Sequence, residues 1–176
     1  MLNEIKSLIS QGQITKNELL KIIQKNARKM SVADFIQFNL TLRQDAETIH
    51  SSYSTDFIKS YTNFMLRIME VKEDTLNYVG LVDIDNLSDA VDLLLGQEIS
   101  NRFNPGELAF RNVYKILTLY STFIKEKPIH QVGFIFPGGL KVKKSGNIFL
   151  CPVKNNGKDN PVAVCPICIA ETNETV

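Results

Sequence analysis

Residues 105–124 read PGELAFRNVYKILTLYSTFI, and nothing else in the chain constrains its folding as strongly. Asn104 can cap, Pro105 suits a first helical position, and Glu107 stands three residues after the cap. Together they predict a helix start. Behind it Phe110, Val113, Leu117, Tyr120 and Ile124 form one apolar stripe, which Ile116, Leu119 and Phe123 widen over much of the girth. A helix so apolar must be covered on several sides. It is expected to be the central helix, ended by Pro128.

The remainder of residues 1–127 also reads as helical. Thr15-Lys16-Asn17-Glu18 has the form of a capping box, followed at helical spacing by Leu19, Leu20, Ile23, Ala27 and Met30. Ser31-Val32-Ala33-Asp34 predicts a second start, with Phe35, Phe38, Leu42 and Ile49 as its stripe. A third helix is expected over 53–72 from Phe57, Tyr61, Phe64, Ile68 and Val71, and a shorter one from about Ser88. The texture then changes. Residues 132–136, 140–142 and 148–153 are rich in β-formers and are separated by Pro137-Gly138-Gly139 and Ser145-Gly146-Asn147, a hairpin signature. The expected fold is mainly α, a bundle-like helical domain (1–127) carrying a small C-terminal β-hairpin, cysteine-rich module (128–176) packed on it.

With 176 residues and 44% hydrophobic composition, a sizeable core needs no metal to exist. No apolar run approaches a membrane span, and Met1-Leu2-Asn3-Glu4-Ile5-Lys6 lacks a signal-peptide pattern. Three cysteines, odd in number and clustered at one end, do not make a secreted disulfide framework. The expectation is a cytoplasmic protein. Net charge is only +1, yet residues 125–158 hold seven lysines against one acid, Glu126. Such asymmetry marks a solvated hairpin face or, alternatively, an anion-binding one.

The cysteines carry the most specific chemistry. Cys165-Pro166-Ile167-Cys168 brings two thiols to one point, and Cys151 ends a predicted strand. Three thiolates and an imidazole suit tetrahedral zinc. The predicted ligands are His130, Cys151, Cys165 and Cys168, with Asp159 and then water as the next choices for the fourth position. Bound there, His130 ties the hairpin to the helices. The bland alternative is three reduced thiols packed as small hydrophobes. An iron–sulfur cluster ranks below zinc because nothing local favours it. A thioredoxin-like site is disfavoured by the absence of a preceding βαβ unit. A zinc deaminase is excluded, since neither His130 nor Cys151 is followed at the right offset by glutamate.

His130-Gln131-Val132-Gly133, Phe136-Pro137-Gly138-Gly139-Leu140-Lys141-Val142, Cys151-Pro152-Val153-Lys154, Lys158-Asp159-Asn160-Pro161 and Cys165-x-x-Cys168-Ile169-Ala170 together resemble an archaeal family classed as a domain of unknown function. The resemblance covers about residues 130–170 and implies an archaeal, cytoplasmic protein. It carries neither an activity nor a ligand assignment, so the zinc ligands rest on the residues themselves.

Other constellations fall short. Glu47-x-x-His50 has di-iron spacing but lacks the second copy that such a site needs. Asp83, Asp85 and Asp89 lack the glycine and closing glutamate of a calcium loop. Lys21, Lys25, Arg28 and Lys29 read as a solvated helix face, and Phe136-Pro137-Gly138-Gly139 lacks the residues of a phosphate loop. With no complete catalytic set, the leading expectation is a non-enzymatic binding or adaptor protein with a structural zinc, its partner another protein or a second copy of itself. The alternatives are two. One is an enzyme with an open three-cysteine site, metal-dependent or thiol-redox, assisted by Lys141, Lys154 or Lys158. The other binds nucleic acid through the lysine-rich hairpin, with Phe134, Phe136 or Phe149 stacking on bases.

Overall fold

Three helices begin at reciprocal caps, each satisfying an otherwise orphaned amide with a side chain three residues away. Thr15 and Glu18 start α2 (Lys16–Ala27), Ser31 and Asp34 start α3 (Val32–Glu47), and Asn104 and Glu107 start α7 (Pro105–Leu119). The computed structural model describes residues 1–99, 103–157, 160 and 163–173. The other helices are α1 (Leu2–Ile9), α4 (Ser51–Leu66), α5 (Ile68–Glu73) and α6 (Ile84–Ile99). None is long and apolar enough to cross a membrane among the described residues. The molecule is mainly helical, with a small three-stranded sheet near its C-terminal end.

The sequence-predicted central helix is central. α7 touches α2, α3, α4 and α5, and Val113, Leu117 and Leu119 are fully buried. Its closest partner is α3, and the approach depends on Gly106. A Cβ there would overlap the Thr41 hydroxyl and stand 2.6 Å from the Gln37 carbonyl.

Two departures from the expected helices have tertiary causes. The stretch expected as one helix over 53–72 is divided between α4 and α5 at Arg67, whose amide bonds the Phe64 carbonyl in a tightened turn (3.2 Å). The Arg67 side chain turns inward there. Its Nη1 donates to the Ile129 carbonyl (2.5 Å) and its Nη2 to the Ser121 hydroxyl (2.9 Å). The second departure is a π-turn over Tyr120–Ile124, which extends α7 with one wider loop of backbone. It closes with Glu126 at φ 49°, the left-handed conformation that ends helices, before Pro128. The shorter helix also starts earlier than expected, at Ile84, because Asp83 accepts the Asn86 amide (3.1 Å).

The π-turn presents Tyr120 to a buried carboxylate. Asp74 Oδ2 accepts the Tyr120 hydroxyl at 2.5 Å and the Tyr78 hydroxyl at 2.6 Å, while Lys125 donates to Tyr78 at 3.0 Å. Burial pushes the Asp74 carboxyl up, but the two tyrosines, the Leu76 amide and Lys125 outweigh it and hold it below its ordinary value.

The sheet is β1 (Lys143–Ser145), β2 (Ile148–Cys151) and β3 (Glu171–Thr172) in that order. β1 and β2 form the expected hairpin around Gly146, and β3 adds in parallel against Leu150 and Cys151. Residues 132–136 and 140–142, expected as strands, are joined by one bridge, Ile135 to Lys141, across the Gly138-Gly139 turn.

Two outcomes are expected here. Gly106→Ala should lower stability by about 2 kcal/mol through overpacking, read by chemical denaturation. Asp74→Asn should cost about 2 kcal/mol at neutral pH. Because the folded pKa of Asp74 is depressed, its contribution is present above the ordinary carboxylate range and is lost as pH falls through the folded value. The gap between wild type and Asp74→Asn should therefore narrow on acidification; a gap that widens would contradict the assignment.

Candidate metal centre

The four predicted ligands arrive from three directions. Ile129 is pinned through its carbonyl by Arg67, which fixes the backbone immediately before His130. Cys151 ends β2, and its carbonyl accepts the Asn173 amide (3.3 Å) as the chain returns along β3. The cysteine loop is a single turn in which the Cys168 amide donates to the Val164 and Cys165 carbonyls (3.2 and 3.3 Å). Lys154 fastens that loop to the strand end, its Nζ donating to the Cys168 carbonyl (2.8 Å) and to the Ala170 carbonyl.

His130, Cys151, Cys165 and Cys168 line one cavity of about 30 Å³, together with Tyr114 and Lys154. That volume holds one ion or one water. All three cysteines are free thiols. Among the described residues, no group of three or more His, Cys, Asp or Glu side chains is disposed to hold a metal ion as it stands. The four residues thus share a cavity without forming a closed ligand shell. Gly157 stands against Cys165, and a Cβ there would overlap its sulfur.

The surroundings set the protonation states. His130 is held among Phe134 (4.5 Å between centroids), Phe136 (5.0 Å), Phe64 (5.3 Å) and Tyr114 (6.0 Å). Burial there, reinforced by the nearby Arg67 guanidinium, pushes its pKa down to about 3. The ring is neutral at physiological pH, the form that can donate a lone pair. Burial pushes the Cys151 thiol up, the Val153 amide pulling the other way. Burial and the neighbouring Cys168 push Cys165 up, against Lys154. Burial also raises the Tyr114 phenol, which faces the three sulfurs.

The remaining sequence-level sites resolve differently. His50 caps α4, its Nδ1 accepting the Ser52 amide (3.3 Å). Asp83 is occupied at the start of α6, and Lys25 pairs with Glu4 at 2.9 Å. Phe134 and Phe136, considered as stacking surfaces for bases, are buried around His130. Phe149 is half-buried, with Lys144 Nζ 5.6 Å from its ring centre. Lys158 and Asp159 lie outside the described residues. Tyr114 is the side chain that sequence reasoning missed. It stands one turn after Phe110 on α7, but helical spacing alone cannot say that this turn meets the cysteines.

A helical body carries a small C-terminal module that bears the three cysteines. The family model described as "Uncharacterized protein conserved in archaea (DUF2115)" matches residues 15–173, and the chain belongs to this family. A UPF0305 protein of Methanothermobacter thermautotrophicus is 34% identical over 158 residues, spanning 89% of this chain and 96% of the relative. UPF0305 proteins of Methanocaldococcus jannaschii and Methanopyrus kandleri are each 27% identical, over 88% and 87% of this chain and 94% and 85% of their own length. No solved structure matches significantly. The match extends through the helices, well beyond the C-terminal motifs that carry the sequence resemblance.

The contact between Gly157 and Cys165 is testable in metal-free protein. Gly157→Ala must displace the Cys165 sulfur, so thiol labelling followed by peptide mapping should show Cys165 reacting severalfold faster. Cys151 should stay slow. An unchanged Cys165 rate would mean that this sulfur is not seated against Gly157.

Proposed function

We propose that this protein is a non-enzymatic binding or adaptor protein whose C-terminal module is stapled to its helical body by a structural zinc ion. His130, Cys151, Cys165 and Cys168 would hold the ion. The observation that carries this reading is that these four residues, spread over 39 positions, line one cavity with room for a single ion. The donor set has the soft, nitrogen-and-sulfur character that zinc takes in closed structural sites. The neutral imidazole needs no deprotonation, and the Cys151 and Cys165 thiols, whose pKa burial raises, would give up their protons as a cation arrives. The sulfurs must move inward on binding, which the single-turn cysteine loop permits.

The adaptor reading draws on Lys154. It lines the cavity with the thiols, and its ammonium is committed to two backbone carbonyls instead of being free to move a proton. A closed ion with a structural lysine beside it supports a module that positions surface. A second reading, nucleic-acid binding, draws on the exposed Lys141, Lys143 and Lys144, the last of them beside Phe149. Its mark would be affinity for mixed RNA that falls steeply with salt.

Elemental analysis of untagged protein purified without chelators tests the main reading. About one zinc per chain is expected, with thiols masked until a chelator is added. Cys165→Ser should expose the segment after residue 130 to proteolysis while the helical signal persists. Metal-free protein with three freely reactive thiols would overturn the proposal.

A further inference from the structure

A second cavity, of about 190 Å³, lies where α3, α4 and α7 meet. Four of its lining side chains are aromatic (Phe38, Phe57, Tyr61 and Phe110), two are carboxylates (Asp45 and Glu107), and none is basic. The rings are held as a set. Phe38 stacks on Phe110 with centroids 5.4 Å apart, Tyr61 lies 4.6 Å from Phe57 and 5.9 Å from Phe110. Phe110 stacks in turn on Tyr114 at 5.4 Å, which anchors the group to the rest of the aromatic core.

The charges around these rings are unequal. Glu107 is engaged at the start of α7, accepting the Asn104 amide at 2.8 Å, so that helix end is already compensated. Arg111, one turn further on, is directed onto the Phe103 ring, 3.9 Å from its centre. Asp45 is different. It is exposed on the last turn of α3, has no ion-pair partner among the described residues, and adds its charge to the partial negative charge of that helix end. Aromatic faces attract cations through their quadrupole, and a free carboxylate at the mouth reinforces that attraction. A gap left by imperfect packing has no need of either.

We propose that this cavity binds a small organic cation, an alkylated ammonium group seated among Phe38, Phe57, Tyr61 and Phe110 with Asp45 as its counter-charge. The site is separate from the proposed metal site, since the two cavities share no lining residue. The ammonium can belong to a free metabolite or to an alkylated lysine side chain, because both present the same head group.

The test is calorimetric titration of the full-length protein with choline and with its uncharged isostere 3,3-dimethylbutan-1-ol. Saturable choline binding is expected, with the alcohol at least about tenfold weaker. Asp45→Asn, at an exposed position that spares folding, should weaken choline about fivefold and leave the alcohol unchanged. Tyr61→Phe keeps the ring and should bind choline as before, whereas Tyr61→Leu, checked for folding by circular dichroism, should lose affinity. A peptide carrying one trimethyllysine distinguishes the sources: tighter binding than choline assigns the site to a modified lysine, equal or weaker binding to a free cation. No choline binding at millimolar concentration, equal binding of the alcohol, or an Asp45→Asn variant indistinguishable from wild type would each overturn the proposal.

Discussion

A guanidinium buried to 7% exposure sets the frame in which the rest of the molecule is arranged. Arg67 stands where one long apolar stripe is divided into α4 and α5, and its two terminal nitrogens reach the π-turn at Ser121 and the backbone at Ile129. Among the described residues its Nε has no hydrogen-bond acceptor, and Glu70 compensates it as an ion pair at 3.6 Å. A charge withdrawn from water is costly unless its partners are fixed in place. Three segments distant in sequence are therefore held in one geometry, and the residue directly after the last of them is His130.

The imidazole is then held by rings. Phe38, Phe110 and Tyr114 stack in sequence, and Tyr114, Phe64, Phe134 and Phe136 surround His130. This aromatic column is what docks the C-terminal module on the helices, and dispersion over so many ring contacts needs no ion to be favourable. The proposed zinc would add a second attachment, from His130 to the three cysteines, that the rings do not supply. It would order the cysteine loop, whose hydrogen bonds are local, more than it would fold the body.

Which parts of this were legible in the sequence follows from how far each interaction reaches. The caps at Thr15, Ser31 and Asn104 depend on residues three apart, and all three were readable. So was the burial of α7, because a helix apolar around its girth admits one environment. The division at Arg67 was hidden, since its cause lies 54 and 62 residues downstream. The parallel pairing of β3 beside Cys151 depends on a contact of the same kind. Donor types and spacing pointed to the four candidate ligands, but spacing could not show that their side chains share a cavity without forming a closed shell. The aromatic cavity was invisible for a related reason. Phe38, Tyr61 and Phe110 each read as one member of a core stripe on a different helix.

Those two cavities are linked by the way α7 is used. Phe110 lines one and Tyr114, a single turn later, lines the other, and their rings stack with planes 19° apart. A helix of 3.6 residues per turn places positions i and i+4 on one face, so the stripe that buries α7 also supplies a wall to each cavity. The family match across residues 15–173 takes in both walls along with the helices and the β module. The C-terminal module accordingly meets α7 at Tyr114, which lines one cavity with Cys151, Cys165 and Cys168. The ring stack along that face makes α7 a common wall of the two cavities.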